Sequence, residues 1–260
     1  MRPLAQIDSY KRTIAIVQSN YLPWRGYFDL IRSVHELILY DSVQYTKRDW
    51  RNRNIIKTPH GLQWVTIPVE VKGKYLQAID ETRIADKSWG EKHIKTIEAN
   101  YRRAAGFAAV GPWLFQSIRA AAEEPLLTNV NEQLLRAIAS RLGLGAPLRR
   151  CTDLLDRAEM ARMDANTRLL ALCQAAKAER YLSGPAARDY LDESLFVAAG
   201  IEVVWMDYSG YPAYPQLWGA FQSTVSIVDL LLNVGNKAAA FLDRLSNDDP
   251  PAEGPHDQSA

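Results

Sequence analysis

One stretch decides the fold: the apolar run Thr13-Ile-Ala-Ile-Val17, followed directly by Gln18-Ser-Asn-Tyr-Leu-Pro-Trp-Arg-Gly-Tyr-Phe-Asp-Leu-Ile31. The first part is short, apolar and β-branched, which is typical of a buried strand. Pro23 and Gly26 then mark a turn, and a helix is predicted from about Arg25 to Val34. Ligands of open α/β folds bind just beyond the carboxyl ends of the strands. The sequence therefore predicts a ligand site at this first strand-to-helix turn.

The first half of the chain continues with one strand, a hairpin and a helical segment. Residues 36–40 are short and apolar and predict a second buried strand. The runs 53–58 and 62–69 flank Pro59-His60-Gly61 and predict an inserted β-hairpin. Ser88 and Glu91 have the spacing of a capping box at the start of a helix. Apolar spacing then predicts helices at about 89–104, 107–121 and 126–142.

The second half returns to alternating helices and strands. The predicted order is a helix at 165–178, a strand at 180–182, a helix at 192–199, a strand at 201–206, a buried helix from about 225 to 232 and a final helix from Asn236 to about Leu245. Such alternation indicates parallel strands joined by helical crossovers. The predicted fold class is α/β, with a Rossmann-like, mostly parallel sheet, an inserted β-hairpin and a helical middle segment.

The whole is predicted to be one α/β domain at 13–245, with a helical insertion at about 88–143 and an N-terminal extension at 1–12. Residues 246–260 contain four acidic residues and no Lys or Arg, so a disordered acidic tail is predicted. Cys151 and Cys173 are too few for a disulfide framework, and no apolar run approaches the length of a membrane span. These features predict a reduced, soluble, cytoplasmic protein.

The first candidate cluster lies in the opening turn, where Trp24-Arg-Gly-Tyr27 has the spacing of the His-x-Gly-His turn of nucleotidylyltransferases. Trp24 and Tyr27 occupy the two histidine positions and cannot stabilise a phosphate as cations, which leaves nucleotide binding by the turn and packing of the helix on the sheet as the alternatives. Gln18, Asn20 and Tyr21 follow the strand end, where amide and hydroxyl groups are suited to hydrogen-bond a ligand.

The second candidate cluster is basic. Five cations and one carboxylate give residues 47–57 a net charge of +4, whereas the whole chain has a net charge of +1. The cations are Lys47, Arg48, Arg51, Arg53 and Lys57, and Trp50 and Asn52 lie among them. Guanidinium groups bind phosphate and an indole stacks on a base or sugar, so a nucleotide, a nucleotide-sugar or an RNA end would suit this segment. A solvated basic edge strand is the alternative.

Single residues complete the predicted site. Ser183 and Gly184 follow the strand at 180–182, and Gly184 allows close approach of a ligand to the backbone. His93 and Asp41 are the candidate general bases, although a partly buried structural histidine is the alternative for His93. Asp229 lies in an apolar segment and needs a partner if it is buried. No pair of histidines has metal-ligand spacing, so no metal site is predicted, and the sequence names no cofactor.

Four motifs in sequence order resemble the WbqC-like family over residues 13–235: the opening turn at 18–28, residues 41–54, Tyr181-Leu-Ser-Gly184 and Ser226-Ile-Val-Asp-Leu-Leu-Leu-Asn-Val-Gly235. The resemblance implies a bacterial protein associated with O-antigen and other surface-polysaccharide gene clusters. It implies neither a settled reaction nor a set of catalytic residues.

The leading functional hypothesis is a transferase that moves an acyl, aminoacyl or related group to a small acceptor such as a nucleotide-linked amino sugar. In it the arginines and Lys47 hold phosphate, while Gln18, Asn20 and Ser183 orient the reacting carbonyl. One alternative is a protein that engages tRNA or another RNA through its basic hairpin. The other is a non-catalytic nucleotide-binding protein. The sequence leaves the oligomeric state open.

Overall fold

A computed structural model of the chain describes residues 11–244. Most of the predicted N-terminal extension and the whole of the predicted acidic tail lie outside these residues. The strands are β1 (Thr13–Val17), β2 (Glu36–Leu39), β3 (Arg53–Thr58), β4 (Gly61–Thr66), β5 (Leu148–Arg150), β6 (Arg180–Ser183) and β7 (Glu202–Trp205). The α-helices are α1 (Arg25–Arg32), α2 (Trp89–Tyr101), α3 (Phe107–Ala122), α4 (Leu127–Arg141), α5 (Arg157–Ala161), α6 (Ala165–Ala175), α7 (Glu193–Ala198) and α8 (Ile227–Val234).

Five strands form one parallel sheet in the order β5-β2-β1-β6-β7. The chain moves outward from β1 through β2 to β5, then returns to the other side of β1 for β6 and β7. The direction of winding therefore reverses between β1 and β6. The Rossmann-like α/β prediction is confirmed, and in such sheets this reversal point opens the crevice that holds ligands.

Successive side chains of the central strands alternate between two hydrophobic cores on opposite faces of the sheet. Ala15, Leu37 and Leu39 face the larger core, which packs against α1 to α4 and α8. Ile14, Ile16 and Ile38 face the smaller core with α5, α6 and α7, where both cysteines are buried as free thiols. Helices cover both faces, as a parallel sheet requires.

The predicted hairpin is present as the antiparallel pair β3 and β4, with Ile55 opposite Trp64. Three details differ from the sequence prediction. Strand β5 was not predicted, because three residues containing two arginines have no recognisable strand pattern. The prediction of a capping box at Ser88 is wrong, because Ser88 makes no side-chain cap hydrogen bond. Its hydroxyl and its backbone N–H instead donate to Asp86, two residues earlier. The predicted final helix is a 3-10 helix at Gly235–Leu242.

Residues 207–224 connect β7 to α8 without a helix or strand, and we call them the strap. A connection this long without secondary structure is uncommon in a compact α/β fold and tends to be functional. Within residues 11–244, no helix is long and apolar enough to cross a membrane.

Candidate functional site

The carboxyl ends of β1, β6 and β7 bring three sequence-distant residues together. Trp24 follows β1, and its ring lies 5.2 Å from the ring of Tyr208, which follows β7. Gly184 follows β6, and a Cβ atom at this position would lie 3.8 Å from the Tyr208 hydroxyl. The reversal point of the sheet is therefore lined by aromatic rings and by one stretch of bare backbone.

A cavity of about 380 Å³ opens beside this point. Its walls come from the loop after β1, from the basic segment and from the end of the strap, and its lining residues are Asn20, Pro23, Trp24, Trp50, Asn54 and Thr224. Of the predicted site residues, the structure brings Asn20, Trp24 and Trp50 to this cavity. Asn54 and Thr224 were missed, although Asn54 belongs to the asparagine-rich end of the basic segment.

The backbone of the loop after β1 is strained and firmly held. Leu22 has a φ of 42°, in the left-handed region, directly before Pro23. A non-glycine residue in this region costs on the order of 1 kcal/mol and persists only where its surroundings enforce it. Here the Ser226 hydroxyl donates to the Leu22 carbonyl at 2.7 Å, and the Ile227 N–H donates to the Pro23 carbonyl at 2.8 Å. The N-terminus of α8 thus fixes the cavity wall.

Gly26 explains where the Trp24 ring lies. A Cβ atom on Gly26 would lie 2.3 Å from Cζ2 of the Trp24 indole, far inside contact distance. The indole therefore folds back over the first turn of α1 and occupies the space that the missing side chain leaves. Trp24 precedes the helix and makes no side-chain cap hydrogen bond, so its ring is free to serve as a cavity wall.

Asp41 and Tyr27 hold the β1 loop from beneath. Asp41 is buried, and its two carboxylate oxygens accept hydrogen bonds from the Ser19 N–H at 2.8 Å and the Thr128 hydroxyl at 2.5 Å. Tyr27 donates to the Gln18 carbonyl at 3.1 Å, and burial raises the pKa of Tyr27 well above its usual value. The backbone of Gln18 and Ser19 is therefore anchored by side chains that do not line the cavity.

His93 belongs to α2, is 6% exposed and faces the hairpin in the core. Its Nε2 is 3.1 Å from the Thr66 carbonyl, which can only accept, so Nε2 carries the proton. Nδ1 then accepts from the Tyr21 hydroxyl at 2.8 Å. Burial lowers the pKa of His93 to about 4. The imidazole is therefore neutral near pH 7, with both nitrogens in use.

The five cations of the basic segment do not form one surface. Lys57 is 3% exposed, and its ammonium group donates to the Ala220 carbonyl at 2.7 Å and to Gln216 Oε1 at 2.8 Å. Arg53 is half-buried and donates to the Arg48 carbonyl. Only Lys47 and Arg48, among these five, are exposed.

Arg51 is the cation next to the cavity. It donates to the Asn20 side-chain oxygen, and its Nη2 lies 3.6 Å from an Asp49 carboxylate oxygen. Its Nε is buried and has no hydrogen-bond partner within residues 11–244. Burial lowers the pKa of Arg51, whereas Asp49 opposes this shift. The neighbouring Asn52 is buried and donates to the Ile67 carbonyl at 2.8 Å, so it supports the hairpin instead of lining the cavity.

Aromatic rings continue from the cavity onto the hairpin. The Trp50 and Trp64 rings are 5.3 Å apart, and both residues remain about two-fifths exposed, at 41% and 42%. The Arg53 guanidinium carbon lies 3.9 Å from the centre of the Trp64 ring, within cation–π range. A ligand in the cavity would therefore meet further aromatic surface where it leaves.

Buried charges from three motifs anchor the strap. Asp229 on α8 is fully buried and accepts from the Tyr214 hydroxyl at 2.8 Å and from Gln216 Nε2 at 2.6 Å, both in the strap. It also accepts from the Tyr101 hydroxyl at 2.7 Å. Burial raises the pKa of Asp229, and these hydrogen bonds oppose the shift. Asp229 does have the partners that its apolar surroundings demand, and two of these three, Tyr214 and Gln216, belong to the strap.

The opening helix supplies a second set of anchors. Arg25 is 3% exposed and donates to the Pro212 carbonyl at 2.6 Å, with the Tyr211 ring centre 4.8 Å from its guanidinium carbon. Asp29 is fully buried and accepts from the Tyr211 hydroxyl at 2.6 Å. Sequence reasoning missed this role of Arg25 and Asp29. Two charges inside an otherwise apolar helix face were the available signal.

Ser183 lies apart from the cavity. It is 5% exposed, its hydroxyl is 3.4 Å from the Tyr181 hydroxyl in the smaller core, and its carbonyl accepts from the Met206 N–H at 2.8 Å. No group of three or more potential metal-ligating side chains occurs within the described part of the chain.

Comparison with known proteins places the chain in a family. The family model of the WbqC-like protein family matches residues 18–241. The uncharacterized protein Rv1507c of Mycobacterium tuberculosis is 51% identical over 232 residues, which cover 89% of this chain and 97% of that protein. No solved structure matches the chain. The match extends from the loop after β1 to the 3-10 helix after α8, and the chain belongs to the WbqC-like protein family.

Proposed function

We propose that the protein is a transferase that moves an acyl, aminoacyl or related group to a small acceptor, a nucleotide-linked amino sugar in surface-polysaccharide biosynthesis. The observation that carries the proposal is the cavity beside the reversal point of the sheet, with Trp24 and Trp50 among its lining residues. Its volume of about 380 Å³ lies within the usual range for small-molecule sites.

The shape and chemistry of the walls support a ligand with a planar or ring-shaped part. Indole faces stack on bases and on sugar rings, and stacking is worth roughly 1–3 kcal/mol per base. Asn20 lines the same cavity, and its amide nitrogen makes no hydrogen bond to residues 11–244. We assign that N–H group to a carbonyl or hydroxyl oxygen of the ligand.

Arg51 supports an anionic ligand. Its guanidinium group is largely buried, yet its nearest carboxylate oxygen, on Asp49, is 3.6 Å away and its Nε is unpaired within the described residues. A buried cation with an incomplete set of partners gains from a nearby anion. A phosphate next to Asn20 would supply that charge, and guanidinium groups bind phosphate oxygens in pairs.

The proposal gives Asp41 and His93 positioning roles. Both Asp41 oxygens and both His93 nitrogens already have protein partners. Asp41 orients the Ser19 backbone, and His93 orients Tyr21, so each acts through the loop that carries Asn20. The amine of the amino sugar would form an amide bond to the acyl carbon while the bond from that carbon to the donor's sulfur or oxygen breaks. The proton released by the amine would go to solvent or to the departing thiolate or alkoxide of the donor.

The experiment is a thermal-shift screen of the full chain against UDP-, dTDP-, GDP- and CMP-linked sugars, followed by mass spectrometry of each hit incubated with acyl-coenzyme A or aminoacyl-tRNA donors. The expected result is a shift with at least one nucleotide-sugar, which Trp24→Ala and Arg51→Ala abolish, and mass gain of the acceptor. A panel without any shift would overturn the proposal.

A nucleotide-sugar that binds without mass gain with either donor would favour the non-catalytic nucleotide-binding protein. The RNA alternative is supported less well, because only Lys47 and Arg48 of the five cations are exposed. Binding of tRNA that weakens steeply with added salt would support it.

A further inference from the structure

The most exposed large apolar side chains of the described residues lie next to each other. Leu76 is 80% exposed and Tyr75 is 77% exposed, at the tip of the loop that follows the hairpin. Because both large side chains are mostly exposed, neither gains the free energy that burial in a core would provide. Adjacent apolar residues of this kind mark a contact surface more often than isolated ones do.

Hydrogen bonds connect this loop tip to Gln44 and Tyr45, which directly precede the basic segment. Gln44 Nε2 donates to the Tyr75 carbonyl at 2.9 Å, and the Tyr45 N–H donates to the Gln77 carbonyl at 2.9 Å. The chain then runs on through Lys47 to Arg48, whose carbonyl accepts from Arg53. Arg53 in turn contacts the exposed Trp64 ring. We call the exposed residues of these connected segments, Lys47, Arg48, Trp64, Lys72, Tyr75 and Leu76, the docking face.

The charge of the docking face is positive. Lys47, Arg48 and Lys72 are exposed and make no ion pair with residues 11–244. The carboxylates nearest in sequence are already occupied, since Glu70 pairs with Lys74, and Asp49 accepts from Thr46 and lies near Arg51. The docking face therefore offers free cations beside exposed aromatic and aliphatic groups.

We propose that the docking face binds the surface of an anionic lipid bilayer. Trp and Tyr side chains prefer the interfacial region of a bilayer, a leucine enters the acyl boundary, and lysines and arginines contact anionic headgroups. RNA would use the cations and the rings, but it would leave Leu76 exposed to water. The combination of Leu76 with three unpaired cations favours lipid.

The proposal does not rest on the proposed transferase activity. It does predict the orientation of the protein, because Trp50 belongs to the cavity wall and contacts Trp64 of the docking face. The cavity would therefore open close to the bilayer surface.

The test is co-sedimentation of the full chain with vesicles of phosphatidylcholine alone and with vesicles that also contain phosphatidylglycerol. Binding is expected only to the anionic vesicles, and it should weaken as salt is added. The variant Tyr75→Ser/Leu76→Ser should lose roughly tenfold in affinity, and Lys47→Gln/Lys72→Gln should lose at least as much. The matched control is Tyr190→Ser/Val197→Ser, which removes two exposed apolar side chains around α7 and should bind like the wild type.

Four results would overturn the proposal. One is no binding to anionic vesicles by a folded protein. Another is equal loss of binding in the control variant and in Tyr75→Ser/Leu76→Ser. The third is binding of single-stranded RNA, but not of vesicles, that Lys47→Gln/Lys72→Gln abolishes, because the face would then be a nucleic-acid surface. A concentration-dependent dimer that Leu76→Ser breaks, without vesicle binding, would assign the face to a second copy and count equally against it.

Discussion

Replacing Gly26 by alanine should damage the proposed ligand site while it leaves the fold intact. The new Cβ atom would lie 2.3, 2.6 and 2.7 Å from three carbons of the Trp24 ring. Carbon atoms rest at about 3.5–4.0 Å from each other, so the ring must retreat by about 1 Å or more. Because Trp24 is half-buried and follows a loop, its ring has solvent space to enter.

The free energies involved are small enough for the variant to fold. Steric overpacking costs roughly 1–3 kcal/mol, and alanine in place of glycine at a helical position returns about 1 kcal/mol. The expected net loss in the free energy of unfolding is therefore about 0–2 kcal/mol. The displaced indole, in contrast, no longer forms the cavity wall, and binding of a nucleotide-sugar should weaken by about the value of one stacking contact, roughly tenfold or more.

The assay pairs urea denaturation with calorimetric titration of the nucleotide-sugar that gives the largest thermal shift. Gly145→Ala is the matched control, because a Cβ atom there meets nothing within 4 Å. Wild-type affinity in a folded Gly26→Ala protein would refute the argument that Gly26 sets the position of Trp24.

Further predictions concern the groups that hold the site. The pKa of His93 is lowered to about 4, whereas an unfolded histidine titrates near 6.5, so the free energy of unfolding should fall by up to about 3 kcal/mol as the pH drops through this range. In urea denaturation, His93→Gln should lack that loss, whereas the exposed control His60→Gln should keep it. Identical pH slopes for the wild type and His93→Gln would contradict the lowered pKa of His93. Lys57→Met leaves two strap carbonyls without a donor. It should lower the free energy of unfolding by about 1–3 kcal/mol and speed proteolysis between residues 216 and 222. The exposed Lys47→Met is the control and should change neither quantity. Ser226→Ala removes both the α8 cap and the bond to the Leu22 carbonyl, so a cost of about 1–2 kcal/mol is expected in denaturation, and a neutral result would mean that the loop holds itself.

The part of the fold that depends on local pattern could be predicted from the sequence. The run at 13–17, its turn and the strand at 36–40 have the hydrophobicity of a β-α-β unit, and the helical crossovers later in the chain predicted parallel pairing. Strand β5 could not be predicted because it is held by pairing to β2, and its own residues carry little apolar signal.

Lys57 shows why the contacts of the candidate site residues could not be predicted from the sequence. In β3 it lies on the same side as Arg53 and Ile55, where alternation predicts partial exposure, yet the strap covers it. Only tertiary packing reveals this, because residues 207–224 have neither helical nor strand periodicity. The sequence predicts ligand contacts for the motifs that contain Arg25, Lys57 and Asp229, but the structure packs these three side chains against the strap.

The cavity flanked by Trp24 and Trp50 is the proposed ligand site, and one calorimetric comparison tests it most directly. The nucleotide-sugar selected by thermal shift is titrated into wild-type protein, Trp24→Ala and Trp113→Ala, where Trp113 is a half-buried indole on α3 that contacts Arg141. We predict that Trp24→Ala weakens binding roughly tenfold or more, while Trp113→Ala binds like the wild type. Equal affinity of the wild type and a folded Trp24→Ala protein would contradict the assignment of this cavity as the ligand site.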